Sequence, residues 1–286
     1  MSLIKSFDPW QSRLCTCPPK LTFNPYTGCD HACVYCYASS YIPKFSSCRP
    51  KRDLIPGLKR EAIKLNGEIV SIANSSDPYP LLEAKTGLMR KCLETLATSN
   101  CRIQIITKSN LVTRDIDLLK KVPSMVSLTV TTDDDRIAKL IEPNAPSPTE
   151  RLRATKILID KGIPTSVRTD PIIPTINDSP ENLIKTLASI GVKHITASTY
   201  KVKLDNWRRF SVAMSKAAEK LKSLYFEQGE KMGRCIYLPK DLRLNLMKNM
   251  AILAKDHDMK FGTCRENLSQ LNTAACDGSW LLNADA

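Results

Sequence analysis

No run of apolar residues in this 286-residue chain approaches the roughly eighteen that a membrane-spanning helix requires, so a helical membrane protein is not expected. The first residues carry no apolar core of the kind a secretory signal has. There is no collagen-like, coiled-coil or disorder-prone bias, no internal repeat and no low-complexity tract, which leaves a folded globular chain. A disulfide framework is equally poorly supported: eleven cysteines is an odd number, and the chain is not a small secreted one. Reduced thiols and metal ligation fit better, and with them a cytoplasmic setting. Acidic residues are scarce relative to basic ones, 29 against 42, for a net charge of +13. Such an excess favours a polyanionic partner, of which nucleic acid is the commonest, although a merely solvated basic surface has the same composition.

What is present is concentrated in one short stretch. Cys29, Cys33 and Cys36 follow one another with three and then two residues between them, close enough for three thiolates to share one soft metal centre. Iron–sulfur clusters normally take four cysteines. Three leave one iron open, as a catalytic zinc keeps one position free of protein. Gly28 before the first cysteine, and Tyr35 and Tyr37 on either side of the last, suit a loop wrapped around a bulky group. A zinc knuckle with His31 as fourth ligand, and three buried cysteines falling there by chance, are the competing readings.

The motif Cys-x3-Cys-x2-Cys with an aromatic before its last cysteine resembles the signature of the radical S-adenosylmethionine (SAM) enzymes. The longer run from Asn24 through Ala38 resembles their spore photoproduct lyase-like branch. Further matches are Ser75-Ser76-Asp77-Pro78-Tyr79, Thr107-Lys108-Ser109, Arg114-Asp115, Glu142 to Pro148, Glu150-Arg151-Leu152 and Asp170 to Pro174. The resemblance spans about residues 23–200 and continues more weakly to Cys264-Arg265-Glu266. It implies an α/β fold, a partial (β/α)6 TIM-like barrel. It also implies a [4Fe-4S] cluster on Cys29, Cys33 and Cys36, SAM as cofactor, and an electron donor such as ferredoxin or flavodoxin. The matching positions in the family contact SAM, which assigns that role here to Tyr35, Ser76, Lys108 and Thr129. Tyr35 is expected to stack on the adenine or hydrogen-bond to it, and Lys108 to meet the carboxylate.

The residues support the same architecture independently. Strand signals at 20–24, 68–73, 102–107, 125–130, 165–169 and 195–198 alternate with helical ones at 54–66, 86–98, 114–121 and 180–190, and Ser147-Pro148 opens another helix. Such alternation makes parallel βαβ units. Polar motifs fall at strand ends, where barrels of this kind place their active residues. The expected organisation is an irregular N-terminal arm over 1–20, a barrel over 21–202 and a helical extension over 203–286, read as two long basic helices split at 229–239. Asp77, Glu142, Arg151 and Arg168 are candidates for ion pairs bracing the rim.

Two features depart from the pattern. The authentic lyase has a hydrogen-donating cysteine just before a Thr-Ser-Asp run, where this chain has Asn74 before Ser75-Ser76-Asp77. Asn74 has no S–H bond to offer, so repair of the spore photoproduct is not expected unless Cys48 or Cys92 reaches in. Separately, Cys15, Cys17, Cys264 and Cys276 are candidates for a second cluster or a zinc site joining the two ends. Their pairs lack the tight spacing of a standard structural zinc site. Cys92 and Cys101 read as core positions. Three functions remain: a radical SAM enzyme acting on nucleic acid, the same chemistry on a peptide or small metabolite, and a non-enzymatic metal-stabilised nucleic-acid-binding module.

Overall fold

A computed structural model describes residues 2–7, 14–72 and 74–283. The expected arm over 1–20 and the strand ending at Ala73 therefore fall partly outside the described residues. The β-branched runs form strands, numbered here β1 (Lys5–Ser6), β2 (Leu21–Phe23), β3 (Asn66–Ile72), β4 (Asn100–Thr107), β5 (Ser124–Thr129), β6 (Thr165–Ile172), β7 (His194–Thr199) and β8 (Lys260–Thr263). They make one eight-stranded sheet in chain order. β1 is antiparallel to β2, and every later neighbour is parallel.

The connecting helices are α1 (Leu54–Ala62), α2 (Leu88–Leu96), α3 (Ile116–Leu119), α4 (Asp135–Ile141), α5 (Pro148–Asp160) and α6 (Glu181–Ile190). Ser147 caps α5 in a capping box with Glu150, and Pro148 occupies its first turn, as the sequence predicts. Between β7 and β8 lie α7 (Leu204–Ala213), α8 (Ser215–Phe226), a hairpin of Glu230–Met232 with Cys235–Tyr237, and α9 (Lys240–Asp256). No helix among the described residues is long and apolar enough to cross a membrane.

Strand alternation decides what each face of the sheet can do. One face carries Phe23, Ile72, Ile105 and Val126 in register, then Leu128, Val167, Ile195 and Phe261. These pack under the helices in two apolar clusters. The other face carries Ser71, Gln104, Ser127, Ser166, Arg168 and Thr196. The interior of this barrel is therefore polar, unlike a closed barrel filled by branched aliphatic residues.

The structure corrects the sequence in one respect. The segment read as a helical extension contributes β8 to the same sheet, beside β7. Lys260–Thr263 is only four residues long and includes Gly262, too short to leave a periodic signal. A third helix, α9, covers β8 through Met247, Met250 and Ala254. Among the described residues β1 and β8 do not pair, so the barrel has a seam. Buried Lys20 bridges it to Asp277 and also donates to Gln104 Oε1 at 2.9 Å. Gln104 Nε2 in turn donates to the Asp277 carbonyl at 2.9 Å.

Candidate active site

The three spaced cysteines sit in the loop after β2, and local geometry explains its shape. Gly28 has φ of +80°, and a Cβ there would lie 2.4 Å from the Phe45 carbonyl oxygen, so only glycine fits. The Cys29 N–H donates to that same oxygen at 2.8 Å. Contacts from distant segments fix the rest of the loop. The Val34 N–H donates to Ile141 O at 2.9 Å, and Asn144 Nδ2 donates to Asp30 O at 2.9 Å. Asn206 Nδ2, on α7, donates to Tyr35 O at 3.0 Å, and Arg209 Nη2 donates to Cys36 O at 2.7 Å. The helices beyond β7 thus hold the cysteine loop directly, with Val34 and Tyr35 packed into the cluster of Tyr200, Phe210 and Tyr225.

Cys29, Cys33 and Cys36 are half-buried and line one cavity of about 640 Å³ inside the barrel. Tyr35 from the cysteine loop and Ser76, Lys108 and Thr129 from strand ends line the same cavity, so these residues converge. Burial pushes the Cys33 thiol up to about 12, with Lys108 opposing it, and burial also raises Cys29 and Cys36. A metal centre here must therefore displace protons. His31 is buried with Nδ1 3.5 Å from Asp77 Oδ2. Among the described residues, no group of three His, Cys, Asp or Glu side chains closes on a single ion, His31 and its neighbouring cysteines included.

Glu142 lies against the cysteine loop, behind the residues that line the cavity. Completely buried, it forms ion pairs with Arg151 and, at 3.8 Å, with Lys108, and it accepts hydrogen bonds from Tyr35 and from Thr131 at 2.6 Å. Burial alone would raise its carboxyl, but Arg151 and Lys108 outweigh that and hold it at about 2. Tyr35 therefore spends its hydroxyl on Glu142 rather than leaving it for an adenine, and its ring lies 5.6 Å from Lys108 Nζ. Thr129 gives its carbonyl to Arg151 at 3.1 Å. Ser76 differs: its Oγ is buried with no hydrogen-bond partner among the described residues. An orphaned hydroxyl on a cavity wall is what a bound polar ligand satisfies.

Three of the four candidate bracing residues form ion pairs, Glu142 with Arg151 and Arg168 with Asp170 at 2.7 Å. Asp77 instead accepts hydrogen bonds from Thr107 Oγ1 at 2.6 Å and from the Lys108 N–H at 2.8 Å, tying two strand ends together. Asn74 lines the cavity and is anchored by Nδ2 to Thr22 Oγ1 at 2.6 Å. Neither Cys48 nor Cys92 belongs to the cavity wall, and Cys92 is buried under the sheet. Cys15, Cys17 and Cys264 are the additional thiols that do line it.

Sequence reasoning missed Lys201. It is buried in the cavity wall and pairs with Glu266 at 3.0 Å. The strand-end rule that selected Lys108 applies equally to Lys201, which follows β7.

Comparisons with known proteins agree with this geometry. The pattern of the radical SAM superfamily matches residues 23–187. The uncharacterized protein Rv2578c of Mycobacterium tuberculosis (strain ATCC 25618 / H37Rv) is 28% identical over 255 residues, covering 82% of this chain and 74% of that protein. The uncharacterized protein MJ0683 of Methanocaldococcus jannaschii is 36% identical over 166 residues, covering 56% and 62%. Among solved structures, spore photoproduct lyase complexed with dinucleoside spore photoproduct superposes with a TM-score of 0.63 at 16% identity, covering 81% of this chain and 71% of that one. Streptococcus suis SuiB bound to S-adenosylmethionine superposes with a TM-score of 0.57 at 14% identity, covering 85% and 49%. At such identities the structural likeness establishes the fold.

Proposed function

Since the chain belongs to the radical SAM superfamily, we propose that Cys29, Cys33 and Cys36 hold a [4Fe-4S] cluster and that SAM binds in the cavity beside it, for reaction on a nucleic acid. Bound there, the cluster and SAM supply reductive cleavage of SAM to a 5′-deoxyadenosyl radical, with the electron delivered by a donor such as ferredoxin or flavodoxin. The protein contributes binding, orientation and exclusion of water. The observation that carries the reading is the convergence of the three cysteines with Ser76, Lys108 and Thr129 on one cavity, where the Ser76 hydroxyl lacks a hydrogen-bond partner among the described residues.

Each residue has a distinct task in this reading. Lys108 meets a carboxylate, and Glu142 keeps the lysine ammonium charged and directed into the cavity. Ser76 and Thr129 offer hydroxyls to polar groups of the ligand. Asn206 and Arg209 hold the loop carbonyls at Tyr35 and Cys36, which fixes where the sulfurs point. Lys108→Met is expected to weaken SAM binding about 10- to 100-fold, the worth of one charge-assisted hydrogen bond. Cluster content should stay at the wild-type level; equal SAM affinity in isothermal titration would remove Lys108 from the site.

The first test is anaerobic reconstitution with iron and sulfide, then reduction in the presence of SAM. Formation of 5′-deoxyadenosine is the expected result, and its absence from fully loaded protein would rule out catalysis. The net charge of +13 and the lysines in the cavity wall, Lys108 and Lys201 among them, support nucleic acid as substrate class. Binding to RNA or DNA that uses six or more phosphate contacts should weaken about a thousandfold or more between 50 and 200 mM salt. Binding indifferent to salt would favour a peptide or small metabolite instead.

A further inference from the structure

Four cysteines have no role in the reading above, although Cys15, Cys17 and Cys264 line the same cavity, and they come from opposite ends of the chain. Cys15 and Cys17 precede β2; Cys264 follows β8, and Cys276 lies in the segment that runs back along it. In sequence they are more than two hundred residues apart. In the fold they meet at the seam between the first and last strands.

The closest pair is Cys17 and Cys276, with sulfurs 3.6 Å apart. Neither is in a disulfide. Two thiolates on one tetrahedral ion with bonds of about 2.3 Å stand roughly 3.8 Å apart, so this pair already has the spacing of two ligands. The Cys15 thiol interacts with that of Cys17, two residues on. Cys264 lines the same cavity as Cys15 and Cys17, and the positive charge of Arg168 acts on its thiol. Among the described residues no third ligand has closed on the point shared by Cys17 and Cys276. The same holds for Cys29, Cys33 and Cys36, so the two sets stand alike.

The surroundings are built rather than incidental. Buried Lys20, three residues past Cys17, is clamped to Asp277, the residue after Cys276. Gln104 holds the Asp277 carbonyl, and Thr196 Oγ1 donates to the Cys276 carbonyl at 2.7 Å. A Cβ on Gly262 would lie 2.5 Å from the Cys276 Cα, so β8 admits this segment only because residue 262 is glycine. The Lys20–Asp277 clamp and the held carbonyls of Cys276 and Asp277 therefore bring the pair together before any metal arrives. Four thiolates on a divalent ion leave a net negative charge, and the cations Lys20, Arg168 and Arg265 lie around the group.

The geometry points to a second metal site at the barrel seam, nucleated by Cys17 and Cys276, completed by Cys15 and Cys264, and taking a thiolate-preferring metal, either zinc or iron as a cluster. Such a site ties the two ends of the chain across the one place where the sheet does not pair with itself. It stands independently of the reading given for the first cysteine loop.

The test uses the full chain with Cys29, Cys33 and Cys36 replaced by alanine, purified without oxygen and offered either Zn2+ alone or iron with sulfide. About one zinc, or iron with matching sulfide, should remain per chain after desalting. Zinc alone identifies the ion, and iron with sulfide a cluster; either supports the site. Adding Cys17→Ser and Cys276→Ser should abolish retention. Should that variant fail to fold, differential alkylation of the unsubstituted protein gives the same answer. Half-buried Cys15, Cys17 and Cys264 should resist iodoacetamide when metal is loaded and react at least about tenfold faster after chelation. A triple variant that retains neither metal, alkylation rates unchanged by chelator, or a Cys17–Cys276 disulfide in anaerobically purified protein would each overturn the proposal. SAM cleavage by the unsubstituted enzyme is a separate readout, so failure here leaves the first site untouched.

Discussion

Protein in which Cys29, Cys33 and Cys36 are all alanine is expected to form 5′-deoxyadenosine at least about a thousandfold more slowly than the unsubstituted chain. The loss is large because the cofactor, not the surrounding side chains, carries the bond cleavage; enzymes owe a million-fold or more to such machinery. The fold should survive, since Cys29 and Cys36 belong to none of the apolar clusters and Cys33 only packs, partly buried, against the edge of one. Thermal unfolding and far-ultraviolet circular dichroism of the metal-free proteins should therefore be close to each other. SAM cleavage persisting in the triple variant would mean that the loop is not the cluster site. Any iron that variant retains would be assigned to the proposed seam site, which keeps the two sites distinguishable.

Glu142→Gln should be the most destabilising single charge removal around the cavity. The carboxylate is fully buried between Arg151, which is equally buried, and Lys108. Removing it strands a guanidinium away from water, which costs about 3–5 kcal/mol. For a chain of this size that lowers the melting temperature by about 10 °C.

The pH dependence follows from the same ion pairs. Burial acts to raise the Glu142 carboxyl, but Arg151 and Lys108 prevail and place it at about 2, below its ordinary 4.5. A carboxyl depressed on folding stabilises the native state fully above its unfolded value, and that contribution is lost as pH falls through the folded value. The interval from 4.5 to about 2 corresponds to roughly 3 kcal/mol, in line with the cost of breaking the pair. The stability gap between the unsubstituted protein and Glu142→Gln should thus be constant above about pH 4.5 and narrow below it. Urea unfolding at pH 7 and at pH 3.5 measures this, and a gap that widens in acid would contradict the assignment.

Much of the site could be read along the chain because its parts are local. The spacing of Cys29, Cys33 and Cys36 is a property of eight consecutive residues. Ser76, Lys108 and Thr129 were recognisable because strand ends in a parallel barrel converge, so naming the strands names the rim. The helix opened by Ser147-Pro148 was legible for the same reason: a capping box is written within four residues. Tyr35 lines the cavity, but the partner of its hydroxyl could not be read locally. Its hydroxyl bonds to Glu142, 107 positions away, and no local pattern reports that distance.

The sequence by itself determined the cysteine loop, the six-fold alternation of strand and helix, and the basic charge, each written in neighbouring residues. The tertiary structure alone decided that Lys20–Asp277 clamps the seam, that β8 completes the sheet, that Asn206 and Arg209 grip the cysteine loop, and that Cys17 lies against Cys276. The physical reason is range. Periodicity and turn chemistry act over a few residues, whereas these contacts join segments from 66 to about 260 positions apart, brought together only once the sheet has buried its apolar face and the wound strands return the chain's end to its beginning.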